Sequence, residues 1–170
     1  TEAMQMGLAT SVVTLPAVAG LVLLLWTSGD RAARSIGILA SGLAAILVAI
    51  LIEQNTNQVF ELWDIAPDLF MRVAWRVNVA TLCLSALVAG VGALVLHFAG
   101  TYFGPTPKAR RAIGTLLIFE AAMLGLILSD DLFMLFTFWE ATGLCSFFLI
   151  STDSDKRADT FAAAQQALLV

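Results

Sequence analysis

Basic side chains are scarce in this sequence: nine lysines and arginines in 170 residues, against thirteen acids, for a formal net charge of -4. A nucleic-acid partner needs a cationic surface, and no long basic stretch supplies one, so that class is set aside. Cysteine is rarer still. Cys83 and Cys145 sit inside apolar runs with no CxxC or Cys/His spacing, which argues against a disulfide framework and against a metal site and leaves them as buried small hydrophobes. No haem, flavin or nucleotide signature occurs, so no cofactor is expected. Charge of either sign is short: 13% of residues are charged and 59% hydrophobic, with a mean hydropathy of +0.89. A chain this apolar reads as a membrane protein.

What is present is a series of apolar runs, each near the ~20 residues that cross a hydrocarbon core, separated by short polar punctuation. The fold class expected is all-α, a polytopic membrane bundle forming a single transmembrane region over 1–170. Helices are expected at about 7–28, 34–52, 77–103, 112–129 and 132–150, with the start of a sixth at 159–170. Pro16 falls within the first run, where packed neighbours tolerate a kink, whereas "GPTP" at 104–107 is a stop. The first run has no basic leader and is longer than the apolar part of a secretion signal, so it is read as a retained helix. The chain begins at Thr1 and stops in "AQQALLV", in mid-pattern, from which we expect processing or a fragment of something longer.

Orientation follows from the cations, because basic loops stay cytoplasmic. Arg31, Arg34, Lys108, Arg110, Arg111, Lys156 and Arg157 fall on one side, leaving Arg72 and Arg76 on the other. The N-terminus is therefore expected outside, together with the acidic excursion 53–76 and the corner at Asp130 and Asp131. Val59, Phe60, Trp63, Phe70 and Trp75 place that excursion on the outer interface, with its tryptophans at headgroup level, as a short helix or a small strand pair. Pro67 argues against one long helix.

The stretch "LFTFWEATGLCSFFLIS", 135–151, then poses the main question: it carries Glu140 near its middle. Ten positions past the turn near 130, at ~1.5 Å per residue, the carboxylate lies roughly 14 Å below the outer end of a ~30 Å core. An ionisable group there costs about 2.5–3.5 kcal/mol to insert, and such groups usually face a protein interior or a water-filled path. Glu120 repeats the anomaly in "LLIFEAAMLGLILS". Helices four and five turn back near position 130, so Glu120 and Glu140 share a depth. If their faces also meet, the two carboxylates share one low-dielectric site and at least one holds a proton. The bland alternative makes each a neutral acid bonded to Thr115, Thr137, Thr142 or a backbone carbonyl.

Other candidates are weaker. His97, toward the cytoplasmic end of helix three, is a possible proton carrier or a satisfied interfacial residue. Asp130 and Asp131 could attract cations at an outer mouth, but capping helix five is preferred; Asp159 is read as the cap of the sixth helix. Phe133, Phe136, Phe147 and Phe148 are read as lipid or packing contacts. Gly37, Gly42, Gly90, Gly92 and Gly125 are read as close-approach points between helices.

"AMLGLILSDDLFMLFTFWEATGLCSFFLIS", followed by a short charged loop and "AAAQQALLV", resembles the start of the antiporter-like core in the large subunits of Mrp-type multisubunit sodium/proton antiporters. It is similar, too, to the proton-pumping membrane subunits of respiratory complex I. The likeness is most specific over 121–170; 76–103 resembles the preceding helix, and Trp63, Ile65 and Pro67 fit a "W-x-I-x-P" pattern ending an external excursion. "GLCS" at 143–146 is similar to the complex I protein, whereas "AMLGLILSDD" and its spacing to "QALLV" favour the antiporter's large A component.

The resemblance implies a role for Glu140, the glutamate of "FWE": a proton-path carboxylate paired with a lysine on a later broken helix. It also implies a secondary transporter component in the bacterial cytoplasmic membrane, not an enzyme. Its partners would be other subunits of the antiporter and lipid, and it would exchange protons against sodium. The sequence in hand stops short of that lysine, so the chain is expected not to complete a transport cycle alone. Two departures stand out. Arg76, Val77 and Asn78 occupy a position where the family often has "R-x-D", and Glu120 falls where small or apolar residues are usual. Two other readings compete. One is a component of a complex I-like or membrane-hydrogenase assembly whose redox chemistry occurs on partners. The other is a structural bundle that anchors a partner in the bilayer.

Overall fold

The structure, a computed structural model, describes residues 2–25, 30–54, 57–66 and 71–152. Five helices carry the fold: α1 (Glu2–Leu25), α2 (Asp30–Glu53), α3 (Val79–Tyr102), α4 (Pro107–Leu128) and α5 (Leu132–Thr152). All five contain windows long and apolar enough to cross a membrane. Between α2 and α3, β1 (Gln58–Ala66) and β2 (Met71–Val77) pair antiparallel, so the excursion takes the form of a strand pair.

The helix starts differ from the hydropathy estimate for a physical reason. Hydropathy discounts charged residues, but a first turn tolerates them once its amides are capped. Thr106 accepts a bond from the Ala109 amide at 3.1 Å with Pro107 in the first helical position, so α4 starts at 107 rather than 112 and takes in Lys108, Arg110 and Arg111. Asn78 and Thr81 form a reciprocal capping box, which starts α3 at Val79 rather than 77. That box gives Asn78 a structural task. The sixth helix expected from 159, with Asp159, lies outside the described residues.

α4 is the hub, since it packs against each of the other four helices. Its approach to α1 is backbone to backbone: a Cβ placed on Gly20 would lie 2.6 Å from the Gly114 carbonyl oxygen. Small residues at such crossings let helices gain dispersion contacts in lipid, where the hydrophobic effect no longer drives association. Gly37 meets Ile113, and Gly125 meets the Phe138 ring of α5. Gly42 and Gly90, read as close-approach points, face open space instead, while Gly20 and Gly114 were not among those expected.

Two apolar cores stack along the helices. One gathers Val12, Val48, Trp75, Leu82, Leu124 and Met134 at the hairpin end. The other gathers Leu23, Ala40, Leu96, Ile113 and Leu117 toward the opposite end. The hairpin seals the first core. Trp75 is 5% exposed, its indole N–H donates to Thr10 Oγ1 at 3.2 Å, and its ring packs 6.0 Å from that of Phe138. Phe60 is buried with it, so these two aromatics belong to the core and not to the headgroup layer; Trp63, at 75% exposure, is free to sit there. The side chain of Phe70 lies outside the described residues.

The Asp130–Asp131 corner divides its labour. Asp131 caps α5, accepting from the Phe133 amide at 2.7 Å. Asp130 does not cap: its carboxylate, 1% exposed, is bound by Arg72 at 2.9 Å and by Arg76, which clamps the hairpin onto the α4–α5 turn. The hairpin, the start of α1 and this turn thus share one end. The opposite end carries Arg34 against Gly100, and Arg110, whose guanidinium donates to the Leu23 carbonyl of α1 at 2.6 Å. That bond satisfies one of the carbonyls a helix C-terminus leaves unpaired, which is why this arginine is buried.

Candidate functional site

Glu120 and Glu140 each stand eight positions from the hairpin-side end of their helices, at Leu128 and Leu132. At ~1.5 Å per residue both lie about 12 Å in, so they do share a depth. They do not share a site. α4 turns Gly125 toward Phe138 of α5 but turns Glu120 the other way, against Ser41 of α2 and Gly92 of α3. The expectation of facing carboxylates fails because helical rotation, which depth arithmetic ignores, separates them.

Glu140 is exposed on the far side of α5. The buried and half-buried Met134, Phe138, Ala141 and Cys145 fall at the i, i+4, i+7 and i+11 spacing of one helical face of α5, and Phe138 of that face meets Gly125 of α4. Glu140 falls off that stripe, beside the exposed Phe136, Trp139 and Leu144. A carboxylate at mid-span on such a surface is costly in lipid, so the face calls for a polar neighbour or water. The threonines weighed as its partners turn elsewhere: Thr137 donates to the Phe133 carbonyl at 2.7 Å and Thr142 to that of Trp139 at 2.7 Å.

Glu120 is the opposite case, 3% exposed. Its partner is Ser41, whose hydroxyl lies 2.8 Å from Oε1 and 3.3 Å from the Ala89 carbonyl oxygen. Thr115, also weighed for this role, donates to the Arg111 carbonyl instead. Ser41 was missed in the sequence, although it is the one hydroxyl in the apolar run "ILASGLAAILVAILIE". The acid sits at the seam between the two cores, with Leu117 below it and Leu124 above it on α4.

His97 is exposed on α3. Among the described contacts it joins neither acid, so the three candidates stand apart: Glu120 buried between α2, α3 and α4, Glu140 exposed on α5 and His97 exposed on α3. Cys145 is buried but Cys83 is exposed, which corrects its reading as a core residue. Among the described residues no cluster of three metal-ligating side chains occurs.

Five apolar helices and two acids at equal depth define a class: a polytopic α-helical membrane protein with ionisable groups inside the bilayer. No family model matches the chain. The chain is 32% identical over 117 residues, 69% of its length, to the A1 subunit of the Na(+)/H(+) antiporter of Staphylococcus haemolyticus, of which this covers 14%. It is 30% identical over 74% of its length to the A1 subunit of the Na(+)/H(+) antiporter of Staphylococcus aureus, covering 16% of that protein. It is also 30% identical over 80% of its length to the chloroplastic NAD(P)H-quinone oxidoreductase subunit 5 of Pentatrichia integra, covering 20% of it. A chain in the solved Mrp complex of a Dietzia species superposes with a TM-score of 0.76 over 98% of this chain and 17% of its own length, at 24% identity, which shows the fold. The chain is therefore like the large A component of Mrp-type antiporters, and it spans between about a seventh and a fifth of the length of these curated relatives.

Proposed function

We propose that this chain forms part of the large A component of a multisubunit Na+/H+ antiporter in a bacterial cytoplasmic membrane, a secondary transporter and not an enzyme. Residues 1–170 constitute one transmembrane region of it. Glu140 takes and gives the transported proton. The observation that carries this is the exposure of Glu140 at mid-span on the α5 face that no other described helix covers. A carboxylate there is positioned to meet water or a charge supplied from outside these five helices, and a nearby charge resets how tightly it holds its proton. The partners are the other subunits of the antiporter, lipid, protons and Na+.

The segregation of cations supports an N-terminus outside. Trp63→Cys in the exposed hairpin should then react with a membrane-impermeant maleimide added to intact cells. Reaction only in inverted vesicles would reverse the orientation.

The likeness to a quinone oxidoreductase protein supports one alternative, a proton-pumping component of a complex I-like or membrane-hydrogenase assembly. The full-length protein, purified with its partners and reconstituted in liposomes, separates the two. Antiport predicts that an imposed Na+ gradient alone drives counterflow of protons. Proton movement only on addition of NADH and quinone would establish the redox assembly instead.

A further inference from the structure

Ser41 has one hydroxyl hydrogen, yet two acceptors lie within reach of its Oγ: Glu120 Oε1 at 2.8 Å and the Ala89 carbonyl at 3.3 Å. If Glu120 were ionised, those two acceptors would compete for one hydrogen. The second carboxylate oxygen, Oε2, is also buried, and among the described residues it has no hydrogen-bond partner. No ion pair reaches Glu120 among the described residues either. A charge so placed has neither a counter-ion nor its full set of donors, which is the costliest arrangement for a buried polar group.

One added hydrogen removes the charge and ends the competition, and it leaves Oε2 as a neutral carbonyl oxygen, whose burial costs less than that of a charged one. The neutral acid donates its O–H to Ser41 Oγ, and Ser41 passes its own hydrogen to the Ala89 carbonyl. The chain of bonds then runs in one direction from α4 through α2 to α3, and no acceptor is contested.

The surroundings fit a neutral group. Glu120 is the one polar side chain lining a groove of about 310 Å³ between α3 and α4, among Leu87, Val91, Val95, Leu116 and Met123. Gly92 makes room for it, since a Cβ there would lie 2.7 Å from the Glu120 carboxyl carbon. We propose that Glu120 is a second proton-binding site of this bundle, separate from Glu140, in which the carboxyl holds its proton at neutral pH and donates it to Ser41. This holds whether or not Glu140 carries the transported proton. The seam between the two cores thus stores a proton away from the exposed face of α5.

Infrared difference spectra of the full-length protein in its native assembly, reconstituted in lipid at neutral pH, test this. Wild type minus Glu120→Gln should show a protonated-carboxyl C=O band and no carboxylate stretches. Gln keeps a donor for Ser41, so assembly should survive the change. Ser41→Ala supplies an independent variant: the Glu120 band should stay in the protonated region and move to higher frequency as it loses its acceptor. Gly92→Ala, which crowds the carboxyl, should broaden or displace the same band. Carboxylate stretches in the Glu120→Gln difference, or a Ser41→Ala difference confined to the carboxylate region, would overturn the proposal.

Discussion

Glu140→Gln should lower Na+-driven proton exchange by at least about 100-fold, the scale on which loss of a positioned proton-transfer group acts, while the assembly purifies with its partners intact. Gln matches the side chain in shape but cannot take up and release a proton at working pH. The exposed setting of Glu140, off the face of α5 that carries Phe138 against α4, makes the packing of this bundle insensitive to the change. Glu140→Asp keeps the acid and withdraws it by one methylene, so it should retain partial activity. Exchange at the wild-type rate in Glu140→Gln would remove this residue from the proton path. Loss of the assembly itself would make Glu140 a structural acid.

Gly20→Val should cost about 3 kcal/mol or more and abolish a stable bundle. A Cβ at Gly20 would meet the Gly114 carbonyl oxygen at 2.6 Å and the Ile118 side chain at 2.8 Å. The first of these is backbone, and overpacking against atoms that cannot turn aside costs from about 1 to 3 kcal/mol even for small additions. Replacing a mid-helix glycine by alanine would by itself gain up to about 1 kcal/mol, so the sign at this crossing reports the clash. Gly7→Ala is the matched control, with nothing within 4 Å of its Cβ. The temperature of thermal inactivation of the purified assembly should fall sharply for Gly20→Val and stay level or rise slightly for Gly7→Ala. Equal stability of the two would mean that α1 and α4 do not cross here.

How much of this was legible in the sequence depends on the kind of information involved. Depth was: the apolar runs, the turn near Asp130 and the equal depth of Glu120 and Glu140 all follow from counting residues along helices. Rotation was not. Whether Glu120 looks toward α5 or toward α2 depends on which helices pack on each face of α4, and counting residues along one helix does not supply that. The same blindness hid Ser41, the Gly20–Gly114 crossing, and the burial of Trp75 under a hairpin. In the sequence Trp75 and Trp63 look alike, and only the partner of each distinguishes a core indole from an interfacial one. Asp130 and Asp131 were likewise alike until the arginines of β2 claimed one of them.

The central claim is that Glu140 lies in the bilayer because protons pass it. Infrared difference spectroscopy on the reconstituted full-length assembly, comparing spectra with and without an imposed Na+ gradient and using Glu140→Gln to identify the band, addresses it most directly. The Glu140 carboxyl should shift between its protonated and ionised signatures when the gradient is applied. A Glu140 band that stays in one state, with the gradient on and the assembly transporting, would contradict it.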